Sequence, residues 1–250
     1  MEIQNRDLEW EAKEIWDFAK KIGIFGNGSI RKSSEKLIEL ERRDREERKM
    51  NEGCFSGKEE REIRRCIAKD NVEFLCIQET KLEDVDRRTC LSIWKNEDCA
   101  WRFKKSDGAS GELLCIWDKS IFSEESYWDI EGAMGIQGKW GKEERDCEVI
   151  NVYAPCNHRK RKELWTELLN RFNQDPDRRR CIVGDFNSIR KPSERKGNKN
   201  HEVDRDMAAF NTFIDEAKLI DLPLARRRFT WIKSNESYMS RLDRFLISVS

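Results

Sequence analysis

From Asn71 onward, short apolar runs alternate with charged or turn-forming residues. Val72-Glu-Phe-Leu-Cys-Ile77, Trp101-Arg-Phe103, Leu113-Leu-Cys-Ile-Trp117, Gly135-Ile-Gln-Gly-Lys-Trp140 and Cys147-Glu-Val-Ile-Asn-Val-Tyr153 read as strands. So do Cys181-Ile-Val183, Arg228-Phe-Thr-Trp-Ile232 and Leu242-Asp-Arg-Phe-Leu-Ile-Ser248. Runs this short, rich in β-branched and aromatic residues and bounded by turns, suit a pleated, buried surface. The charged turn from Gly141 to Asp146 joins two of them as a hairpin. Helical spacing interrupts the strands at Leu164, Trp165, Leu168, Leu169 and Phe172, and again at Phe210, Phe213, Ile214 and Ala217. Residues 85–94 add a short helix. Hairpins with occasional helices predict an α+β mixed-sheet sandwich rather than a strictly alternating parallel sheet.

Residues 1–70 have a different texture. Charges of both signs crowd together, as in Glu41-Arg-Arg-Asp-Arg-Glu-Glu-Arg-Lys49. Trp10, Ile15, Trp16 and Phe18, then Ile30, Leu37, Ile38 and Leu40, give intermittent helical spacing, and Glu59 to Lys69 is also helical in pattern. The reading is a charged, solvated helical extension over 1–70, looped at Gly26-Asn-Gly-Ser29, followed by a folded domain over 71–250. A coiled-coil or nucleic-acid-binding arm is the alternative for the extension.

Charge and cysteine usage narrow the class. The 49 basic and 49 acidic residues cancel, so nothing pulls the whole chain toward nucleic acid or a membrane, and any such contact must be local. Nine tryptophans and twelve phenylalanines require a core. The nine cysteines are odd in number, form no Cys-x-x-Cys pair and fall partly inside apolar runs, which predicts reduced thiols and no disulfides in an intracellular protein. No apolar run approaches the ~20 residues of a membrane span, and no signal-peptide core opens the chain.

The candidate chemistry centres on Cys181-Ile-Val-Gly-Asp-Phe-Asn187. Gly184 breaks the strand, and Asp185 and Asn187, two residues apart, project to one side if the segment is extended. A carboxylate there can accept a proton from water while the amide holds an oxygen in place. The same residues also suit an Asx turn in which each bonds only its own backbone. Glu79, Asp185, Asn187 and Asp243 all fall at predicted strand ends, as does Tyr153, so one sheet edge would gather them into one cleft. Mg²⁺ takes hard oxygen ligands and often only one or two protein carboxylates, which Glu79 near Asp185 would supply. Taken singly, Tyr153 suits a core aromatic, Glu79 a solvated residue and Asp243, between Arg241 and Arg244, an ion pair.

Four ordered motifs make the set specific. Gln-Glu-Thr at 78–80, Asn-Val-Tyr-Ala-Pro at 151–155, Gly-Asp-Phe-Asn at 184–187 and Ser-Arg-Leu-Asp-Arg-Phe-Leu-Ile-Ser at 240–248 resemble the endonuclease/exonuclease/phosphatase superfamily. With Leu219-Ile-Asp-Leu-Pro-Leu224 and Arg228-Phe-Thr-Trp231, the chain is most similar to the apurinic-type endonuclease domain of plant LINE retrotransposon polyproteins. The resemblance implies a four-layer α/β/β/α sandwich with its active site at one end of the two sheets, acting on DNA in the nucleus with Mg²⁺ or Mn²⁺. By position it makes Glu79 the metal ligand, Tyr153 a contact of the scissile phosphate, and Asp185 the group that activates water, with Asn187 its partner. Asp243 corresponds to the aspartate that orients a catalytic histidine. Thr230, Arg190 and Arg228 fall where nucleic acid would approach, while the basic groups 159–162, 178–180, 191–196 and 226–228 suit either phosphate contacts or plain solvated loops.

Two departures shape the expectation. An Asn-bearing strand before the Gln-Glu-Thr strand is not visible in the pattern around 51–57, and the 250 residues hold no Ser-Asp-His motif. The two histidines, His158 and His201, sit in polar segments and match no family position. The sequence therefore predicts a sandwich incomplete at both ends, a truncated copy of the domain, and an impaired Mg²⁺-dependent DNA endonuclease. The alternative is a non-catalytic fragment that binds nucleic acid or a partner protein. A phosphatase of sugar or lipid phosphates is a further option, against which the terminal motifs argue.

Overall fold

The central strands are buried on both faces, and their period-two alternation decides which layer each side chain joins. In the strand Phe74–Gln78 (β3), Phe74 and Cys76 point to one side while Leu75 and Ile77 point to the other. The computed structural model describes residues 21–26, 29–30, 57–80, 82–94, 96–106, 111–197, 201–223, 229–232 and 238–248, with the side chains of 23–30, 57–59 and 201–204 left aside.

Two sheets face each other. One is five-stranded. Its β3 lies between Ile22–Gly26 (β1), which carries Ser29–Ile30 (β2) on its far side, and Leu113–Asp118 (β5), which pairs with Cys99–Lys104 (β4). The other is six-stranded and runs, in spatial order, Leu219–Asp221 (β11), Asp243–Ser248 (β14), Arg179–Asp185 (β9), Arg145–Tyr153 (β8), Ala133–Trp140 (β7) and Phe122–Ile130 (β6). A small third sheet joins Arg195–Lys196 (β10), Met239–Ser240 (β13) and Trp231–Ile232 (β12).

Between the large sheets lies one core, in which Phe74, Trp117, Phe122 and Trp140 form an aromatic cluster over Cys76, Cys115, Val149, Cys181, Val183 and Ile247. On the outer face of the five-stranded sheet, helices Gly57–Lys69 (α1) and Arg87–Ile93 (α2) bury Ile63, Ile67, Cys90 and Ile93 against Leu75, Ile77, Leu114 and Ile116. Helices His158–Gln174 (α3) and His201–Glu216 (α4) cover the other sheet through Leu164, Trp165, Leu168, Phe172, Phe210 and Phe213. The order is α/β/β/α, as expected.

Three expectations change. The boundary at residue 71 is not where the packing puts it, because β1 pairs in parallel with β3, placing Ile22 opposite Phe74 and Phe25 opposite Ile77. A strand therefore does stand beside the Gln-Glu-Thr strand. It arises from Ile22-Gly-Ile-Phe25, an apolar run shorter than the helical seam read across it. The segment 26–29, read as a loop, has Gly26 opposite Ser29, so β1 and β2 form a hairpin with two residues between. An Asn-Gly pair at those positions is a strong hairpin signal. Strand β6 escaped the sequence pattern altogether, since Phe-Ser-Glu-Glu-Ser-Tyr-Trp-Asp-Ile is mostly polar. It is an edge strand, half solvated and carrying a bulge between Glu124 and Ser126, as edge strands commonly do. The remainder of the expected extension, residues 1–20 and 31–56, lies outside the described residues.

Among the described cysteines none is disulfide-bonded, and only Cys156 is exposed. Burial pushes the Cys90 and Cys147 thiols up to about 12, which leaves them unreactive. No described helix is long and apolar enough to cross a membrane.

Gly184 sets how closely β8 and β9 approach at the edge that matters. Its φ is +134°, and a Cβ there would lie 1.9 Å from the carbonyl oxygen of Val152. Gly184→Ala is expected to cost about 3 kcal/mol, from a strained backbone and a clash with main chain that cannot move aside. Gly141, at φ +71° with nothing within 4 Å, is the control; its alanine variant meets only the ~1 kcal/mol conformational cost. Urea unfolding of the two variants separates the effects, and equal losses would refute the close-approach explanation.

Candidate active site

Strands β8 and β9 run parallel, and β14 runs antiparallel to β9, so the C-terminal ends of the first two and the start of the third share one edge. The register puts Tyr153 opposite Asp185 and Asp185 opposite Asp243. All three lie in phase with the residues that point into the inter-sheet core: Val149 on β8, Val183 on β9 and Ile247 on β14. Period two thus turns three scattered residues into one row. The facing sheet adds Glu79, the residue after β3.

Two polar contacts bind the sheets at this edge. Asn151, wholly buried on β8, accepts from Gln78 Nε2 at 2.6 Å and donates Nδ2 to the carbonyls of Ile77 (3.1 Å) and Leu114 (3.3 Å). Beyond it, the Tyr153 hydroxyl donates to Glu79 Oε1. Burial, then the hydrogen bond to the Glu79 carboxylate, push the Tyr153 phenol far above its ordinary range. It remains a neutral donor at any working pH.

The backbone at the site is unusual. Glu79 adopts φ +52° and Asn187 φ +47°, the left-handed region that Asn tolerates and Glu seldom enters. Left-handed residues of this kind concentrate at functional sites. Asn187 is held from both ends, since its N–H donates to Asp185 Oδ1 (2.8 Å) and its Nδ2 donates to the Ala154 carbonyl (2.7 Å). The Asx turn weighed from sequence is therefore present, and it also ties the loop after β9 to the loop after β8.

The remaining sequence candidates have other partners. Thr230 Oγ1 accepts from the backbone N–H of Leu242 (2.8 Å) and Asp243 (3.0 Å), fixing the start of β14. Arg190, read as a nucleic-acid contact, donates Nε to Asn211 (3.0 Å) and lies 3.6 Å from Asp221, three-quarters buried. Arg228 lies outside the described residues. The arginines flanking Asp243 do not form the simple ion pair weighed for it: Arg241 and Arg244 direct their guanidinium groups to Glu194 and Asp221.

As a metal site the donor set is sparse and hard. No three His, Cys, Asp or Glu side chains converge among the described residues. Gln78 Oε1, beside Glu79, is buried without a hydrogen-bond partner. The Glu79 carboxylate is a hard oxygen donor of the kind Mg²⁺ takes singly while keeping several waters, whereas zinc is commonly held by several His or Cys ligands.

Residues 53–250 match the model of the Endonuclease/Exonuclease/phosphatase family. The chain belongs to that family. Among solved structures, the catalytic domain of Xenopus laevis APE2 is similar at 17% identity and a TM-score of 0.56, over 74% of this chain and 77% of that one. The 3′ phosphatase NExo from Neisseria, bound to product DNA hairpin, is 12% identical over 75% of this chain and 80% of its own, with a TM-score of 0.57. The endonuclease domain of TRAS1, a telomere-specific non-LTR retrotransposon, is 15% identical over 75% and 78%, with a TM-score of 0.51. At these identities the likeness establishes the fold. No curated protein matches the sequence.

Several residues that tie together the segments around this edge carry no role in the sequence pattern. Gln78 and Asn151 lie inside two of the four motifs but carried no role there. Arg161 was grouped with a basic run, although it falls on the apolar stripe of α3 with Leu164, Trp165, Leu168 and Phe172. Asp206 falls likewise on the stripe of α4 that holds Phe210, Phe213 and Ile214. A charge at a stripe position was the available signal.

Proposed function

We propose that this chain is a Mg²⁺-dependent phosphodiesterase that nicks DNA, derived from a retrotransposon and acting in the nucleus. The observation that carries this reading is the Tyr153–Glu79 hydrogen bond, which joins the two sheets at the edge where Asp185 and Asn187 also lie. Each group has a part. Glu79 would hold the Mg²⁺, which when bound supplies positive charge against a phosphate oxygen. The neutral Tyr153 hydroxyl gives its single proton to Glu79 and so orients that carboxylate, and it would donate to a non-bridging phosphate oxygen only by turning away from Glu79. Asp185 accepts the proton of the attacking water, and Asn187 keeps the two loops at fixed separation. The DNA-bound phosphatase and the retrotransposon endonuclease of the same fold support the substrate class.

The 250-residue chain is expected to work slowly. It contains no Ser-Asp-His motif, and His158 stands at the start of α3 with Nδ1 4.0 Å from Asp206. Lacking one proton-transfer or electrostatic element typically costs about 10²–10⁴ in rate. The test is nicking of supercoiled plasmid with Mg²⁺, chelator and a Glu79→Ala variant. Slow, Mg²⁺-dependent nicking that disappears in the variant is the expected result. Fast cleavage would refute the impairment, and nicking indifferent to Glu79 would refute the site. Salt-dependent DNA binding with no nicking at all would favour a binding role.

A further inference from the structure

Arg161 is a guanidinium in the wrong place for a solvated basic run. Only 7% exposed, it occupies the first turn of α3 on the face that packs against the six-stranded sheet. Its Nε and Nη2 donate to Asp206 Oδ1 at 2.9 and 2.8 Å, and Nη1 donates to the carbonyls of Pro155 (2.9 Å) and Cys156 (2.6 Å). Asp206, 8% exposed on α4, accepts from the Ser188 hydroxyl through Oδ2 at 2.8 Å. One buried ion pair therefore grips both the segment after Tyr153 and the segment after Asn187. The direct link between them is the Asn187–Ala154 hydrogen bond already described.

Stability alone is a weak reason for such a pair, because well-packed apolar residues at a buried ion pair are often neutral or stabilising. What apolar residues cannot do is supply donors to inward-turned carbonyls and fix their direction. We propose that Arg161, acting through Asp206 and Ser188, is the positioning residue of the site, holding the Tyr153 loop and the Asn187 loop in register. This rests on the phosphodiesterase reading for its effect on rate, and on geometry alone for its effect on the loops. Misplacement of reacting groups by about 1 Å costs on the order of 10²-fold in rate.

The test uses the 250-residue chain with Asp206→Asn and Arg161→Lys, the first retaining side-chain shape if the second fails to fold. Two readouts are taken on folded protein: single-turnover plasmid nicking with Mg²⁺ alongside plasmid affinity, and deuterium labelling of the backbone amides in the segments after Tyr153 and after Asn187. Expected for Asp206→Asn are nicking slowed about 10²-fold at unchanged affinity and deuterium labelling of the two segments quickened about tenfold as local opening becomes easier. Labelling unchanged in the folded variants would overturn the proposal, whatever the plasmid shows. So would nicking that falls only in step with the folded fraction. Absence of nicking in the parent chain counts against the phosphodiesterase reading, while the labelling still decides the brace.

Discussion

Asp185→Ala is expected to lower Mg²⁺-dependent nicking by about 10²–10⁴-fold, the range for removing a group that takes part in proton transfer. Asp185 ends β9 nearly buried, in register with Tyr153 on one side and Asp243 on the other. Its Oδ1 accepts from the Asn187 N–H, and the proposed function adds a second part for the carboxylate, acceptance of water's proton. Alanine removes both. Asparagine retains an oxygen for the Asn187 N–H and removes the base, so comparing the two variants in single-turnover nicking separates anchoring from proton transfer. Equal losses would show that Asp185 acts chiefly by taking the proton. A loss below about tenfold in both would remove Asp185 from the chemistry, because base catalysis is worth more than that.

Arg244→Met is expected to destabilise the fold by about 3–5 kcal/mol, the cost of leaving buried charge without its partner. Arg244 is wholly buried and bonds Glu194 Oε2 at 2.5 Å and Asp221 Oδ2 at 2.7 Å, with its guanidinium 5.5 Å from the ring centre of Phe210. Arg241 and Arg190 complete the network around the same two acids. Methionine fills much of the volume but leaves Glu194 and Asp221 short of charge. Urea unfolding measures the loss, and a cost under about 1 kcal/mol, the value of an exposed pair, would refute the buried-network account.

The same network predicts a pH dependence. Burial on its own pushes the Glu194 carboxyl up, but the hydrogen bond and charge of Arg244, then the Arg190 N–H and Arg241, hold it below its ordinary value. A depressed folded-state carboxyl contributes stability that is present in full above its unfolded pKa and is lost as pH falls through the folded one. The parent chain should therefore lose stability below about pH 4, and Arg244→Met, having lost the interaction already, should lose less across the same interval.

How much of this was legible in the sequence differs from residue to residue. Glu79, Tyr153, Asp185 and Asn187 were found because each follows a short apolar run, and a strand end is a local feature. Their order matched a family, and the geometry brings them to one edge. Strand β6 was missed because an edge strand buries one face only and its polar residues break the pattern. Strand β1 was missed because its backbone partner is β3, with paired residues 52 positions apart, as Ile22 is from Phe74. Arg161 sits in a basic run that looks solvated until its partner Asp206 is brought beside it, and the ion-pair partner of Arg190, Asp221, is likewise distant in sequence.

The sequence by itself determined the buried inner strands of the two large sheets, the faces that alternate along them, the two amphipathic helices over the larger sheet and the four motifs that point to the family. These follow from periodicity, which depends only on neighbours along the chain. Only the tertiary structure decided that Ile22–Gly26 joins the first sheet, that Tyr153 meets Glu79, and that Arg161 and Arg244 are buried among acids instead of facing solvent. A charged or polar side chain is stable wherever its hydrogen bonds are met. Whether water or another side chain meets them is settled by which distant segments pack together.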